Sequence, residues 1–327
     1  SCLFSLLYSD NIMEVVHDLR GPRSLSTHLL LSSQLAVDTF LFISGAVVAF
    51  SYRKRLLYRF LPQGGTFLRC IFRWLLFVIH RIFRLLPAVL FVSFFTVFIF
   101  NHIGDGPLWR DSGVFGTQCS SVSDILPHIF FFSNLSPSLC LPWLWHLALD
   151  MQLHCLAPLL LICLTHSPHP SMIMIAVLTT LSVIYSFAVI EWGGVRPDFL
   201  SYLLAEMESE AGEARLHRGM RLLYGSPLAR APAFFIGTTT GWFVCERSSV
   251  HLGRRRHFLL KSLCFALLAY AFFSPASDNW MTVVHAVLQR PAWAAGLAGL
   301  VWMSENGYST LTNTLFASLQ LVPLSRL

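Results

Sequence analysis

Seven apolar runs, at 35–52, 85–102, 144–164, 171–190, 232–246, 258–273 and 286–303, constrain this chain more than any other feature. A helix needs about 20 mostly apolar residues to cross a bilayer. These runs are too continuously apolar for barrel strands, which alternate inward and outward side chains. An eighth run begins near Leu315. The expectation is an all-α, polytopic transmembrane helical bundle of seven to eight spans, forming one membrane domain over residues 1–327. Charge supports it. Only 12% of the 327 residues are charged and 55% are hydrophobic, whereas a soluble domain carries about 25% charge. A water-facing surface cannot be solvated with so little.

The charges that remain are sorted by loop. Residues 51–84 hold Arg53, Lys54, Arg55, Arg59, Arg69, Arg73, Arg81 and Arg84 and no acid. Residues 247–261 hold Arg247, Arg254, Arg255, Arg256 and Lys261, again with no acid. The positive-inside rule puts both in the cytoplasm. The loop 103–143 sets Arg110 against Asp105, Asp111 and Asp124, and the loop 191–230 is mixed. Both belong on the opposite face, lumenal or extracellular, which points to the secretory pathway or plasma membrane. Basic residues that flank apolar runs form no solvated patch, so nucleic acid is not an expected partner. The bilayer is. Nothing in the sequence fixes an oligomeric state.

Cysteines and one sequon bear on compartment. Cys119 and Cys140 share the 103–143 loop and are candidates to pair in an oxidising environment; the alternative is two separate thiols. Asn134-Leu135-Ser136 is a glycosylation sequon, followed directly by Pro137. Cys155, Cys163, Cys245 and Cys264 fall within apolar runs and read as packing residues. No spacing of the Cys-x-x-Cys type occurs, so no metal is expected.

Ionisable residues at membrane depth are costly unless paired, which makes each one a site candidate. Asp38 opens the first run, either as a helix cap or as a carboxylate that holds an arginine or a substrate hydroxyl. Arg81 and Arg84 are three residues apart at the start of the second run, so both project from one helix face. Two forked donors suit phosphate, while positive-inside anchoring also accounts for them. His146, Asp150 and His154 follow one another at intervals of four, an acid/base constellation or a hydrogen-bonded ladder. Asp150 is the deepest charge of that set. Arg230 and Arg290, each near a proline, read as snorkelling anchors.

Five stretches, taken in order, resemble the acyltransferase 3 family of membrane proteins, closest to its nose-resistant-to-fluoxetine-like animal branch. They are 37–45 (VDTFLFISG), 80–87 (HRIFRLLP), 104–109 (GDGPLW) with Cys119 and Cys140, 145–152 (WHLALDMQ), and 289–293 (QRPAW) with 322–327 (VPLSRL). The resemblance implies a bundle of about ten helices. It implies transfer of an acyl group from an acyl-CoA-like donor to a hydroxyl acceptor, with Arg81 and Arg84 on the donor side and no bound cofactor. It also implies a catalytic histidine, preceded by an arginine, in a span that would lie before Ser1. The chain, opening at Ser1 and closing at Leu327, reads as a fragment lacking its first and last spans, so that this piece alone is not expected to be active. Asp38 and Asp150 are the catalytic candidates it retains. His146 stands where the branch has tyrosine, and His154 and Cys155 replace aromatics. The alternative reading is a lipid- or small-molecule-handling protein of the same fold. A secondary transporter fits less well, because no inverted repeat is visible.

Overall fold

All seven apolar runs fall on helices in the computed structural model, which describes residues 28–29, 32–51, 67–100, 122–136, 140–195, 218–246, 253–273 and 280–307. Eight α-helices are present among these residues: α1 (Gln34–Ser51), α2 (Phe67–Phe94), α3 (Val122–Ile129), α4 (Trp145–His166), α5 (Pro168–Glu191), α6 (Pro227–Glu246), α7 (Arg254–Phe272) and α8 (Trp280–Glu305). No strand occurs among the described residues. The eighth run near Leu315 lies outside them.

The bundle is organised around α6, which packs against α1, α4, α5 and α8, most extensively against α1. The sequence permits this closeness. A Cβ placed on Gly237 would collide with the carbonyl oxygen of Phe42, and one on Gly241 with that of Ala46. A Cβ on Gly45 would meet the carbonyl of Phe234 in return. Gly237-Thr-Thr-Thr-Gly241 is thus a small-xxx-small stripe that brings two helix backbones into contact, the packing favoured where lipid removes the hydrophobic drive between helices. The three intervening threonines need no outside partner. Thr238, Thr239 and Thr240 donate to the carbonyls of Phe234, Phe235 and Ile236, one turn back. Leu41, Phe42, Leu149, Leu153, Leu161 and Phe234 fill the core between α1, α4 and α6.

Among the described residues, four helices are long and apolar enough to cross a membrane: α1, α2 with its continuation, α4 and α5. The helix α6 does not reach that level, and its surroundings explain why. Surrounded by other helices, it presents little surface to lipid and can carry Arg230, threonines and glycines. Outward-facing positions carry the apolar load instead: Phe83, Phe91, Ile173 and Phe258 are largely exposed. A surface of this kind requires lipid around it.

One boundary differs sharply from expectation. The second span was expected over 85–102, with a basic loop before it. The helix instead begins at Phe67 and runs without interruption to Phe94, then continues as a π-helix to Phe100. Arginines marked the segment as loop, but they are interleaved with Ile71, Phe72, Trp74, Leu75 and Leu76, and long arginine stems lie along a helix without breaking it. Arg81 therefore sits 14 residues into α2, about 20 Å at 1.5 Å per residue, well inside the helix.

The loop expected at 103–143 also contains structure. Within it, α3 is followed by a turn at Phe131, whose φ is 57°. That turn aims its carbonyl at Gln152 Nε2, 2.9 Å away. The sequon residue Asn134 is 4% exposed. Its amide nitrogen donates to Gly225 O at 2.9 Å and Gln152 Oε1 at 3.1 Å, and its oxygen accepts from Gln152 Nε2 at 2.9 Å. An asparagine so enclosed offers no nitrogen for a glycan, and the sequon loses its value as a topology marker. Cys140 is disulfide-bonded, while Cys119 lies outside the described residues.

Candidate functional site

Helices α1, α2 and α4 line an open cavity of about 420 Å³. Arg81, Arg84, His146, Asp150 and Ser44 supply its polar lining, and Phe40, Val47 and Leu85 are among its apolar walls. Spacing of three on α2 and of four on α4 brings these side chains to facing surfaces.

Arg81 is the organising group. One nitrogen pairs with Asp150 Oδ2 and also reaches Ser44 Oγ at 3.3 Å. The other donates to His154 Nδ1 at 2.7 Å. An arginine can only donate, so Nδ1 carries the lone pair and the proton of the neutral ring sits on Nε2. His154 is further fixed by stacking on Phe77, with ring centroids 4.4 Å apart and planes 6° from parallel. Arg81 thereby ties α2 to α1 and α4, and its charge is largely answered.

Three groups in the cavity are left with chemistry to offer. Arg84 has no hydrogen-bond or ion-pair partner among the described residues. Asp150 Oδ1 is buried and likewise lacks a hydrogen-bond partner among the described residues. His146 Nδ1 lies 2.6 Å from the Trp143 carbonyl. A carbonyl only accepts, so Nδ1 bears the hydrogen and Nε2 becomes the basic nitrogen. A cation, a carboxylate oxygen and a tautomer-fixed imidazole thus meet against apolar walls.

Asp38 is not among the cavity's lining residues. It lies on α1 next to the lining residue Val37, paired with Arg230 of α6 at 2.9 Å, and neither side chain is exposed at all. The guanidinium of Arg230 also stacks over Tyr224 and Trp145, at 4.6 and 5.1 Å from the ring centroids, and donates to the Tyr224 carbonyl at 2.8 Å. Arg290 is buried close by and donates to the carbonyls of Leu223 and Ala229. Neither arginine snorkels; both are turned inward and joined to backbone carbonyls, which offsets part of their desolvation. Three residues flagged as separate in sequence are one buried cluster that clamps α1, α4, α6 and α8. The aromatic partners Trp145 and Tyr224 were not foreseen. Their signal is faint, because cation–π contacts leave no fixed spacing.

A family model described as "Acyltransferase domain", that of the acyltransferase 3 family, matches residues 11–323. Nose resistant to fluoxetine protein 6 of Caenorhabditis elegans is 24% identical over 340 residues, covering 98% of this chain and 40% of that protein. Regulator of hypoxia-inducible factor 1 from the same organism is 26% identical over 274 residues, covering 77% of this chain and 49% of that protein. The chain therefore spans less than half the length of these curated relatives. No solved structure matches it.

Proposed function

The chain belongs to the acyltransferase 3 family, and on that premise we propose that the cavity between α1, α2 and α4 transfers an acyl group from an acyl-CoA-like thioester to a hydroxyl acceptor. The observation that carries this reading is the meeting of Arg84, Asp150 and His146 in one apolar-walled cavity. Arg84, the uncommitted cation, holds donor phosphate. Arg81 positions Asp150. The open oxygen of Asp150 accepts a hydrogen bond from a second donor on the acceptor, beside the reacting hydroxyl, and so orients it. His146 Nε2 takes the hydroxyl proton as its oxygen attacks the thioester carbonyl carbon. The carbon–sulfur bond then breaks, and the imidazolium returns the proton to the departing thiolate. The products are an ester and a free thiol. Asp38, sealed against Arg230, holds helices together and does not react.

The acid-free basic stretches 51–84 and 247–261 support a cytoplasmic supply of donor. The disulfide at Cys140 supports an oxidising compartment on the other side, in the secretory pathway or at the plasma membrane.

The test uses the full-length protein in detergent, with thiol release from an acyl-CoA followed with and without a hydroxyl acceptor. Loss of a charge-assisted hydrogen bond costs about 1.5–3 kcal/mol, so Arg84→Ala raises the donor KM roughly ten- to a hundredfold. His146→Phe keeps a ring of similar shape and lowers kcat at least a hundredfold. Unchanged kinetics in both variants, with folding intact, would reject the reading. Retained binding of acyl lipid without thiol release would favour the alternative, a protein that handles lipids or small molecules without transforming them. The mainly apolar cavity lining is the feature that favours it.

A further inference from the structure

A second cavity, of about 550 Å³, opens between α5, the start of α6 and the helical turn before α6. It shares no lining residue with the first. Arg218 and Arg221 line it, three residues apart on a segment that ends in the π-turn Met220–Tyr224. Both are exposed, and among the described residues neither has a hydrogen-bond or ion-pair partner. No acid is among the lining residues. Two guanidinium groups on one face with no acid among the residues that line the cavity set up a local positive potential, and their planar forks match a phosphate.

The remaining walls are of two kinds. Tyr185 and Ser226 contribute hydroxyls, with Ser226 Oγ donating to Tyr185 Oη at 3.4 Å and Tyr185 Oη donating to the Leu222 carbonyl at 3.1 Å. Each hydroxyl oxygen keeps acceptor capacity, and neither hydroxyl brings a charge that would repel an anion. Leu135 and Leu228, by contrast, are more than half exposed. Both help line the cavity, and Leu228 lies in the first turn of α6, a helix of the membrane bundle. A soluble phosphate would have no use for that apolar side. An amphiphile would, with its phosphate between the arginines and its chain along the leucines.

We infer that this second cavity binds the phosphate of an amphiphilic phosphate ester, such as a membrane phospholipid. The site is separate from the acyl-transfer cavity, and its occupancy does not depend on catalysis. The π-turn ties the two places together. Tyr224 closes the same segment that carries Arg221, and its ring lies 4.7 Å from Trp145, the neighbour of His146.

The experiment uses the full chain in an uncharged maltoside detergent. Binding of dihexanoyl phosphatidic acid and of glycerol 3-phosphate is titrated separately by calorimetry. The expected result is saturable binding of the lipid, with glycerol 3-phosphate at least tenfold weaker. Arg218→Gln/Arg221→Gln weakens lipid binding at least tenfold while the melting temperature stays put, and Leu228→Asn weakens the lipid only. Arg84→Gln, in the first cavity, leaves the titration unchanged. Equal affinity for the two probes would overturn the assignment to an amphiphile. Binding that survives the double variant, binding lost in Arg84→Gln, or no binding to wild type would each overturn the site.

Discussion

Asp38 and Arg230 face each other at 2.9 Å with no exposed surface on either side chain. Among the described residues, neither carboxylate oxygen of Asp38 nor one terminal nitrogen of Arg230 has a hydrogen-bond partner, so the two charges depend on each other and on the aromatic rings around them. Breaking a buried pair from one side leaves an uncompensated charge and costs about 3–5 kcal/mol. Asp38→Leu strands Arg230 beside Arg290, and Arg230→Met strands the carboxylate. The double variant Asp38→Leu/Arg230→Met is expected to cost much less than the sum of the singles. Thermal midpoints of the detergent-solubilised protein check this; additive losses would mean the pair is not coupled.

The contact between α1 and α6 gives a second expectation. A valine at Gly237 must displace the backbone at Phe42, and overpacking of this kind costs about 1–3 kcal/mol or more. Gly253→Ala is the control. A Cβ there meets nothing within 4 Å, so stability stays within about 0.5 kcal/mol. Equal midpoints for Gly237→Val and wild type would rule out close backbone packing.

His128, in the short helix α3, supplies a pH dependence. Burial lowers its pKa below the ordinary 6.5, and a hydrogen bond to the backbone of Cys140 offsets only part of that. A histidine with a depressed folded pKa binds its proton more readily when unfolded. Stability is therefore complete above about 6.5 and falls as pH drops from there towards the folded value, by at most about 1.4 kcal/mol per pH unit. His128→Gln should flatten thermal midpoints measured between pH 7 and 5. An unchanged slope would assign the acid sensitivity to another group.

Glycosidase treatment of the protein expressed in a secretory-competent cell should produce no mobility shift attributable to Asn134, whose amide is bound to Gln152 and Gly225. Asn134→Ala should instead destabilise, by roughly 1–3 kcal/mol, because it leaves buried polar partners unsatisfied. A glycan mapped to Asn134 would contradict the fold of this loop.

Helix existence was legible because lipid imposes long apolar runs, and all seven fell on helices. What misled was charge. Arginines between apolar residues marked 67–84 as loop, yet an arginine on a helix keeps its backbone hydrogen bonds whatever its side chain does. Asp150, Arg81 and His146 were visible as ionisable residues at depth, and the structure gathers them. Asp38 and Arg230 were visible too, but 192 residues apart in sequence their pairing could not be seen. The glycine pair at 237 and 241 carried a readable small-xxx-small pattern that hydropathy alone passes over.

The backbone contact between α1 and α6 has a mechanical consequence. No side chain lies between Gly237 or Gly241 and the facing α1 carbonyls, so nothing there can rotate aside to let the two helices slide. They behave as a single stator. The helix α2, by contrast, is the least enclosed of the four clear spans, with 17% of its apolar window buried. Among its hydrogen bonds to other helices are those of Arg81 and that of Trp74 to the Cys155 carbonyl. Of the walls of the first cavity, α2 is thus the one least held in place, and its arginine is a main tie to the fixed pair.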